Sequence, residues 1–424
     1  MAAEAVDILI AGGGPVGAAL ALALEGSGLS VVLAEARSGD SDAARSADFG
    51  AARDTDTRGA HAIDTSGTCA IDTSGTRATD TSGTRAAAGD ARAIALSHGS
   101  RLILERLHAW QALPVTPIAT IHISQQGGFG RTLIRADDCG LPALGYVANY
   151  DDLQQGLLAV PSSARRLFGA RLTGFDGSTA TLQTQQGELV FAPRLTVFAD
   201  GARIADAAAP AYSKDYRQTA LVAWVKTEQA HHGRAWERFT TEGPLALLPH
   251  GEGYALVWTT SPDRGARLGA LGTPAFLAEL QTAFGGRLGA FVEAGERTAF
   301  PLTLRYRREE SLPHSIAVGN AAQTLHPVAG QGFNLGLRDA WELARLARDA
   351  REPGSDSFID AYRRARAPDR RAGIQFTDSL VGLFSNSDPL LKLGRGAGLL
   401  ALDLLPFARR FVARRMIYGA RALP

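Results

Sequence analysis

The sequence predicts an α/β protein in which a region of parallel strands and helices is interleaved with a β-sheet-rich region and followed by a C-terminal helical tail. Three observations support this fold class: a strand–turn–helix–strand unit at the N-terminus, strand-like runs between about residues 119 and 308, and helical spacing beyond about residue 356. The chain has 424 residues, of which 45% are hydrophobic and 21% charged. This composition is typical of chains that bury cores and excludes disorder throughout.

Charge and cysteine content exclude several classes of function. Forty-four basic residues against 43 acidic residues leave a net charge of +1, which predicts no nucleic-acid partner. Cys69 and Cys139 cannot form a disulfide scaffold and lack the spacing of a zinc site, so we expect no metal and a reducing compartment. The segment 1–7 has no basic region, and no stretch is apolar enough to span a membrane, which predicts a cytoplasmic protein.

The N-terminal unit consists of a strand at Val6–Ile10, a helix at Ala18–Leu24 and a second strand at Ser30–Ala34. Because a helix connects the two strands, we expect them to lie parallel.

A glycine motif, G-x-G-x-x-G, lies between the first strand and the helix. Gly12 permits the turn, Gly14 lets the backbone approach a diphosphate, and Gly17 lets the helix pack on the strand. Glu35 follows the second strand, where it would accept hydroxyl groups of an adenosine ribose. The motif predicts a dinucleotide cofactor but does not distinguish NAD from FAD.

An octapeptide is repeated three times between residues 62 and 85, within a polar stretch from about 38 to 89. Each copy offers at most one large apolar side chain, too little to offset the entropy of ordering it. We interpret the stretch as a flexible insertion; a small β-solenoid is the alternative.

The middle of the chain resumes with a strand at Ile94–Ser97 and a helix at Ser100–Trp110. Strand-like runs then dominate and predict a large, partly antiparallel sheet; they include 119–124, 179–191, 219–225 and 255–260. A further apolar strand at Leu195–Ala199 ends in Asp200 and Gly201, which by themselves indicate only a β-turn.

A second glycine-rich segment follows a buried strand at Ile316–Gly319. Asn320 and a loop containing Pro327 lead into Gly330-Gln331-Gly332, which opens a helix at Leu335–Ala350. Such a loop presents backbone donors and a helix dipole to an anion, which suits the negative charge of a reduced flavin. The alternative is a loop whose glycines serve packing alone.

Three segments together resemble FAD-dependent monooxygenases of the para-hydroxybenzoate-hydroxylase type. They are the first glycine motif with Glu35, the strand that ends in Asp200 and Gly201, and the second glycine-rich segment. The third segment is similar to the form seen in the ubiquinone-biosynthesis hydroxylases. The chain as a whole is most similar to their 2-polyprenyl-6-methoxyphenol hydroxylase branch. The resemblance extends over nearly the whole chain outside the insertion and includes the stretches 92–100, 121–130, 142–147 and 237–249.

The resemblance implies a set of FAD-binding residues. Gly12, Gly14 and Gly17 would bind the diphosphate, Glu35 would bind the ribose, and Arg92 would approach the cofactor. Asp200 would bind the diphosphate or the ribityl chain, and Asn320 the ribityl chain. Pro327 would line one face of the flavin, and the pyrimidine side would be contacted by Gly330, Gln331, Gly332 and Asn334.

The interleaved organisation divides the chain into six segments. FAD-binding parts are expected at 1–110, 166–214 and 309–355, substrate-sheet parts at 111–165 and 215–308, and C-terminal helices at 356–424.

The implied reaction is hydroxylation of a polyprenyl phenol by dioxygen through a flavin hydroperoxide, with NAD(P)H as a candidate electron donor. Because the flavin performs the chemistry, we name no catalytic base; His122, His250 and His326 are candidates by residue type alone. Phe239, Leu248 and Trp258 are candidates for the wall of an apolar pocket that excludes water.

Two features depart from the family pattern. Residues 202–210 replace a stretch that usually carries Ser and Arg, which puts nicotinamide handling in doubt, and the insertion must loop away from the cofactor. Three alternatives therefore stay open: a hydroxylase of another small aromatic compound, an NAD-dependent dehydrogenase, and a catalytically idle interaction protein.

The last 35 residues carry seven basic side chains against Asp403, interleaved with Leu and Phe: Lys392, Arg395, Arg409, Arg410, Arg414, Arg415 and Arg421. This pattern indicates either helices at the inner face of an anionic membrane or helices packed on their own domain with a solvated Arg face. Membership of a biosynthetic complex is a further expectation from the resemblance.

Overall fold

The computed structural model describes residues 3–38, 92–201, 211–307, 312–327, 330–384 and 388–419. The octapeptide repeat and the stretch 202–210 lie outside the described residues, so the predictions that concern them stay predictions.

The described chain alternates between strands and helices. The strands are β1 Glu4–Ala11, β2 Val31–Glu35, β3 Ala93–Ser97, β4 Thr116–Ile118, β5 Thr120–Gln125, β6 Arg131–Arg135, β7 Gly145–Asn149, β8 Arg165–Phe168, β9 Arg171–Phe175, β10 Ala180–Thr184, β11 Gly187–Phe198, β12 Ala211–Thr227, β13 Arg234–Phe239, β14 Pro244–His250, β15 Gly253–Thr260, β16 Phe291–Ala294, β17 Thr298–Arg307, β18 Ser315–Ala317 and β19 Gln323–Thr324. The helices are α1 Pro15–Ala23, α2 His98–Arg106, α3 Tyr150–Ala159, α4 Pro262–Ala270, α5 Thr273–Phe284, α6 Gln331–Arg348, α7 Asp356–Phe384, α8 Pro389–Leu404 and α9 Pro406–Tyr418.

The first sheet has the order β8-β2-β1-β11-β10-β9, and β18 also pairs with β11. Strands β2, β1, β11 and β18 run parallel, so the carboxyl ends of β1, β11 and β18 lie at one edge. Ile8, Leu9 and Ile10 are buried on both faces of the sheet, as expected for a central parallel strand. This edge brings together residues that are about three hundred positions apart in the sequence.

The second sheet has the order β19-β17-β12-β15-β14-β13-β5-β6, with β16 also paired to β12. Its back face packs Trp236, Leu245 and Trp258 against α4 and α5. Its front face, which carries Ala235, Phe239 and Leu248, packs against the rest of the molecule. A small third sheet has the order β3-β7-β4.

The interleaved α/β fold class is confirmed, since the strands of the first sheet come from segments that enclose those of the second. One interpretation of the strand-like runs is corrected. The run 179–191 belongs to the first sheet and not to the large middle sheet, and it lies within 166–214, the segment that we expected to be an FAD-binding part. It forms β10 and the start of β11, which continues to Phe198 and pairs with β1 from Phe191 onward. Pro193 divides the pattern in the sequence, yet in the structure it lies opposite Val6 within the strand.

The C-terminal tail is helical, as predicted, and forms α7, α8 and α9. Within the described ranges, no helix combines the length and the hydropathy that crossing a bilayer would require.

Candidate cofactor and substrate site

The glycine turn after β1 is closed by contacts that leave no room for side chains. At Gly12 (φ +116°) an added Cβ would lie 2.5 Å from the Asp200 amide nitrogen, and at Gly17 it would lie 1.9 Å from the Gly12 carbonyl oxygen. The Gly12 N–H donates to the Ala34 carbonyl at 2.8 Å. These two glycines are therefore required by the packing of the turn between β1, β2 and α1.

Gly14 has a different environment. It is the N-cap of α1, and an added Cβ would meet only the Tyr150 hydroxyl, at 3.2 Å. Among the described residues, no side chain caps α1 and its first turn carries no acidic residue. The N-terminal N–H groups and the helix dipole thus remain available to an anion, so the turn fits a diphosphate.

Glu35 lies against this turn at the end of β2. Its Oε2 accepts a hydrogen bond from the Gly13 N–H at 2.7 Å, and its Oε1 accepts one from the Arg37 N–H at 2.9 Å. The structure therefore brings Glu35 to the glycine turn, where the motif requires an acid.

Arg92 lies near the same turn through Tyr150, whose hydroxyl adjoins Gly14. Its guanidinium lies 5.6 Å from the centre of the Tyr150 ring and 5.4 Å from that of Phe300. Sequence reasoning missed Tyr150 and its neighbour Gln154, whose Nε2 donates to the Gly13 carbonyl at 3.1 Å. Both belong to the start of α3, and only the tertiary fold brings this helix to the turn.

Asp200 and Asn320 lie at the same edge of the first sheet. Asp200 follows β11, and its backbone adjoins Gly12. Asn320 is exposed in a 3₁₀ turn, Gly319–Ala321, directly after β18. Both residues thus occupy the strand ends where ligands bind in open α/β sheets.

The second glycine-rich segment contacts the first through small residues. An added Cβ at Gly336 would lie 2.9 Å from the Gly319 Cα and 3.0 Å from a Val16 methyl carbon. Gly319 itself has a φ of +59°. This close approach of α6 to the start of α1 requires glycine at both positions and joins the two glycine segments into one site.

The N-terminus of α6 resembles that of α1, since both helices have a glycine at the N-cap. Gly330 is its N-cap with a φ of +59°, and its N–H donates to the Pro327 carbonyl at 2.9 Å. No side chain caps α6 within the described residues, and its first turn carries no acid. Among the described residues, an added Cβ at Gly332 would meet no atom within 4 Å, so the backbone there faces open space in the described part of the chain.

Asn334 is 2% exposed and uses its whole amide within the protein. Its Oδ1 accepts from the Ser97 N–H (2.8 Å) and the Ser100 hydroxyl (2.6 Å), and its Nδ2 donates to the Ala95 (2.9 Å) and Gly330 (2.7 Å) carbonyls. Asn334 thereby fastens the start of α6 to β3 and α2.

Asp339 fixes the opposite end of the loop and was not identified from the sequence. Its Oδ1 accepts from Arg366 Nε at 2.7 Å and its Oδ2 accepts from Gln323 Nε2 at 2.7 Å, in a fully buried position. A buried carboxylate needs such partners, and here they connect α6 to α7 and to the loop after β18.

A small apolar cavity adjoins the start of α6. Its wall includes Ile121 and Ile134 of the second sheet, Ala413 and Ile417 of α9, and Gln331. Apolar walls of this kind exclude water from a reacting centre.

The three predicted pocket residues do not share one location. Phe239 stacks on Phe384 at 3.7 Å between ring centres, and Leu248 packs with Ala235, both on the front face. Trp258 packs on Phe276 in the back core, so its predicted place in the pocket wall is wrong. The reason is strand alternation, which directs Trp258 away from the front face.

The three candidate histidines also separate. His122 lies on the back face, 4.5 Å from the Trp236 ring, and burial together with nearby arginines lowers its pKa to about 4. His326 lies edge-on to Tyr216 at 5.3 Å, and burial lowers its pKa to about 4. Burial also lowers the pKa of His250. Neutral rings are therefore expected at pH 7.

Comparisons with known proteins identify relatives of this chain. The FAD binding domain family model matches residues 164–377. A ubiquinone hydroxylase of Rhodospirillum rubrum is 33% identical, over 97% of this chain and 90% of that protein. The 3-demethoxyubiquinol 3-hydroxylase of Escherichia coli is 31% identical, over 74% of this chain and 84% of that protein.

Solved structures share the fold at low sequence identity. The p-nitrophenol 4-monooxygenase of Pseudomonas putida superposes with a TM-score of 0.68 at 14% identity, covering 98% of this chain and 99% of that one. An FAD complex of Klebsiella pneumoniae HpxO gives a TM-score of 0.67 at 13% identity, covering 96% and 99%. The family model spans half of the chain and the Rhodospirillum relative aligns with nearly all of it, so the chain belongs to the FAD-binding-domain family of flavin-dependent monooxygenases.

Proposed function

We propose that the protein is an FAD-dependent monooxygenase that hydroxylates the aromatic ring of a polyprenyl phenol in ubiquinone biosynthesis. The names of the Rhodospirillum and Escherichia relatives support this substrate class. The family also favours a monooxygenase over the NAD-dependent dehydrogenase that the first glycine motif left open.

One observation carries the proposal: two uncapped helix starts, those of α1 and α6, are joined into a single site through Val16, Gly319 and Gly336. Each start offers N–H groups and positive potential. FAD has negative charge both at its diphosphate and, when reduced, at the pyrimidine side of its ring, so two such starts match two parts of one cofactor.

The residues of the site divide into those that would bind FAD and those that position the FAD-binding residues. Gly12 and Gly17 would shape the turn that holds the diphosphate, and Gly14, Glu35 and Arg92 would lie at the adenosine and diphosphate end. Asp200 would bind the diphosphate or the ribityl chain. The ribityl chain and ring would be held by Asn320, Pro327, Gly330, Gln331 and Gly332. We assign Asn334 a positioning role, because its amide is fully used in holding the Gly330 turn.

Bound FAD supplies the redox chemistry that inserts an oxygen atom from dioxygen into the ring. The protein binds the substrate, orients its ring and excludes water, for which the apolar cavity beside Gln331 is suited. We propose NAD(P)H as the electron donor. We also propose the division of the chain into six FAD-binding, substrate and helical segments that the sequence predicts.

We also propose that α8 and α9 contact an anionic phospholipid bilayer, from which the polyprenyl substrate is taken. Leu404, Phe407 and Phe411 are 69%, 69% and 61% exposed, and Arg410, Arg414 and Arg415 are exposed beside them; together these six side chains form what we call the tail surface. Exposed apolar side chains with neighbouring cations suit the interface of an anionic membrane.

The two interpretations of the tail are combined in α9. Its inner face packs Ala413 and Ile417 against Ile134 and Leu144, while its outer face presents Phe407 and Phe411. Two of the basic side chains serve the protein itself, since Arg395 is buried and Arg409 pairs with Asp138 at 3.1 Å. Because Ala413 and Ile417 also line the cavity, α9 separates the proposed membrane face from the proposed substrate space. The arrangement supports contact with a membrane surface, and we propose the cytoplasmic face as the location.

The proposed function is tested by complementation. A bacterial strain that lacks its own ring hydroxylase is expected to accumulate an under-hydroxylated polyprenyl phenol, and expression of this chain should restore ubiquinone. Mass spectrometry of the quinone fraction measures both compounds. Purified protein that binds FAD but leaves the precursor unchanged would instead support the idle interaction protein or a different aromatic substrate.

A further inference from the structure

We propose that the Glu237 carboxylate accepts the phenol proton of the substrate, which makes Glu237 a catalytic residue of the reaction. The inference rests on the proposed function, since it requires a phenol at the front face of the second sheet.

Glu237 lies on β13 between two apolar clusters of the front face. On one side Ala235 packs with Ile118 and Val147, and on the other Phe239 packs with Val381 and Phe384. Because side chains alternate along a strand, Glu237 shares this face with Ala235 and Phe239.

The immediate neighbours of Glu237 offer it no charge. Ile123 of β5 and Ala246 of β14 lie directly opposite it in the two adjoining ladders. Its Oε1 is buried and has no hydrogen-bond partner among the described residues. A buried acceptor of this kind is costly unless a donor reaches it, and a phenol hydroxyl is such a donor.

The side chain is deep in the protein and yet keeps part of its surface accessible. Its Oε1 is buried while the residue as a whole is partly exposed, so a bound ring would approach the carboxyl group through this accessible part.

The front face around Glu237 leads to the proposed FAD site from two directions. Ala93, which follows Arg92, packs into the Ala235 cluster. Tyr216 packs into the Phe239 cluster and contacts the ring of His326, the residue before Pro327. Glu237 thus lies between the segments that carry Arg92 and Pro327.

Electrostatics suit a proton acceptor that works near neutral pH. Burial alone raises the pKa of Glu237 from its usual 4.5 to about 7. The other titratable groups toward this face keep one protonation state near neutral pH. His326 and His250 have lowered pKa values and are neutral. Tyr216 donates a hydrogen bond to Asp378, which Lys214 also binds at 2.6 Å. Burial and the bond to Asp378 hold the pKa of Tyr216 well above its usual range.

The proposed step is a proton transfer and balances by itself. The phenol O–H bond breaks, its proton forms an O–H bond with the Glu237 carboxylate, and a phenolate remains. No electron is transferred, so no further reactant is needed. The phenolate ring is more electron-rich than the phenol, which favours attack on an electrophilic oxygen, and the proton leaves to solvent before the next turnover.

The test compares Glu237→Gln with wild type, using the FAD-loaded full chain and a phenol that carries a short prenyl chain. We expect kcat to fall by about 100-fold with FAD retention unchanged. In wild type the rate should rise with pH through about 7 as Glu237 ionises, and the variant should lack this rise. Glu293→Gln, an exposed carboxyl change on β16, is the matched control and should leave both the rate and its pH profile unchanged.

A second measurement is independent of turnover. Because the pKa of Glu237 is higher in the folded state, the folded protein binds an additional proton between about pH 4.5 and 7, and its stability should fall as pH rises through this window. Glu237→Gln removes that fall. Thermal unfolding midpoints at about pH 5 and about pH 8 should therefore diverge less in the variant than in wild type.

The outcomes separate the two proposals. A Glu237→Gln enzyme with the wild-type rate and pH profile overturns the acceptor role while the proposed function stands. A wild-type enzyme that hydroxylates no prenylated phenol overturns the proposed function and the acceptor role together. If the glutamine variant does not fold, Glu237→Asp should keep the pH dependence with a reduced rate, and a loss of that dependence would overturn the role.

Discussion

At the scale of single residues, glycines that look alike in the sequence have different causes. Gly17 is required by the protein itself, since a Cβ would lie 1.9 Å from the Gly12 carbonyl. No contact with the described residues requires Gly332, because none of their atoms lies within 4 Å of its Cβ position. The sequence motifs predict that both glycines belong to the cofactor site. Only the fold distinguishes a glycine that packing requires from one that leaves room for a ligand.

This distinction predicts the effect of Gly332→Ala. The added methyl group meets no atom of the described residues, and alanine favours a helix over glycine by up to about 1 kcal/mol, so the apoprotein should be at least as stable as wild type. FAD affinity should nevertheless fall by about tenfold or more, because the methyl group occupies the cofactor's space. Fluorescence titration with FAD and thermal unfolding measure the two effects.

The matched control is Gly382→Ala in α7, where an added Cβ also meets no atom within 4 Å. It should leave FAD affinity unchanged. Wild-type affinity in Gly332→Ala would show that this backbone does not contact the flavin.

At the scale of elements, local patterns predicted which segments form helices and strands, but not which surfaces they share. Alternation and glycine signals identified α1, β5 and α6 because these signals act over a few residues. The approach of Tyr150 to Gly14 and the bonds of Asn334 to β3 depend on contacts between distant segments. The prediction that Trp258 lines the pocket failed for the same reason, because the sequence does not show which face of the sheet borders the site.

The tail helices give a prediction at this scale. Replacing Phe407 and Phe411 by Ser removes two exposed aromatic groups whose burial in lipid is worth about 1.5–3 kcal/mol each, so binding to anionic vesicles should weaken at least tenfold. Flotation with vesicles of mixed phosphatidylglycerol and phosphatidylcholine measures this binding. The effect should decrease in high salt, which screens the arginines.

Phe168→Ser, which removes a 42% exposed aromatic group on β8, is the control and should not affect flotation. Equal binding by the double variant and wild type would mean that the tail surface serves another purpose.

At the scale of the whole molecule, the site exists because the chain enters the first sheet three times. The ends of β1, β11 and β18 meet at one edge, and α1 contacts α6 across it. The general arrangement of the cofactor site was predictable, since each glycine segment follows its own strand. The hydrogen bonds of Asp339 with Arg366 and Gln323 were not predictable, since these residues become neighbours only after folding.

The central claim is that the two glycine segments hold one FAD, and the most direct measurement is the FAD-to-protein ratio after reconstitution and dialysis of Gly14→Asp. Wild type should retain one FAD per chain. The variant should retain none, because a carboxylate at the start of α1 repels the diphosphate, while a deletion of residues 62–85 should retain FAD as wild type does. Full FAD retention by Gly14→Asp would contradict the account.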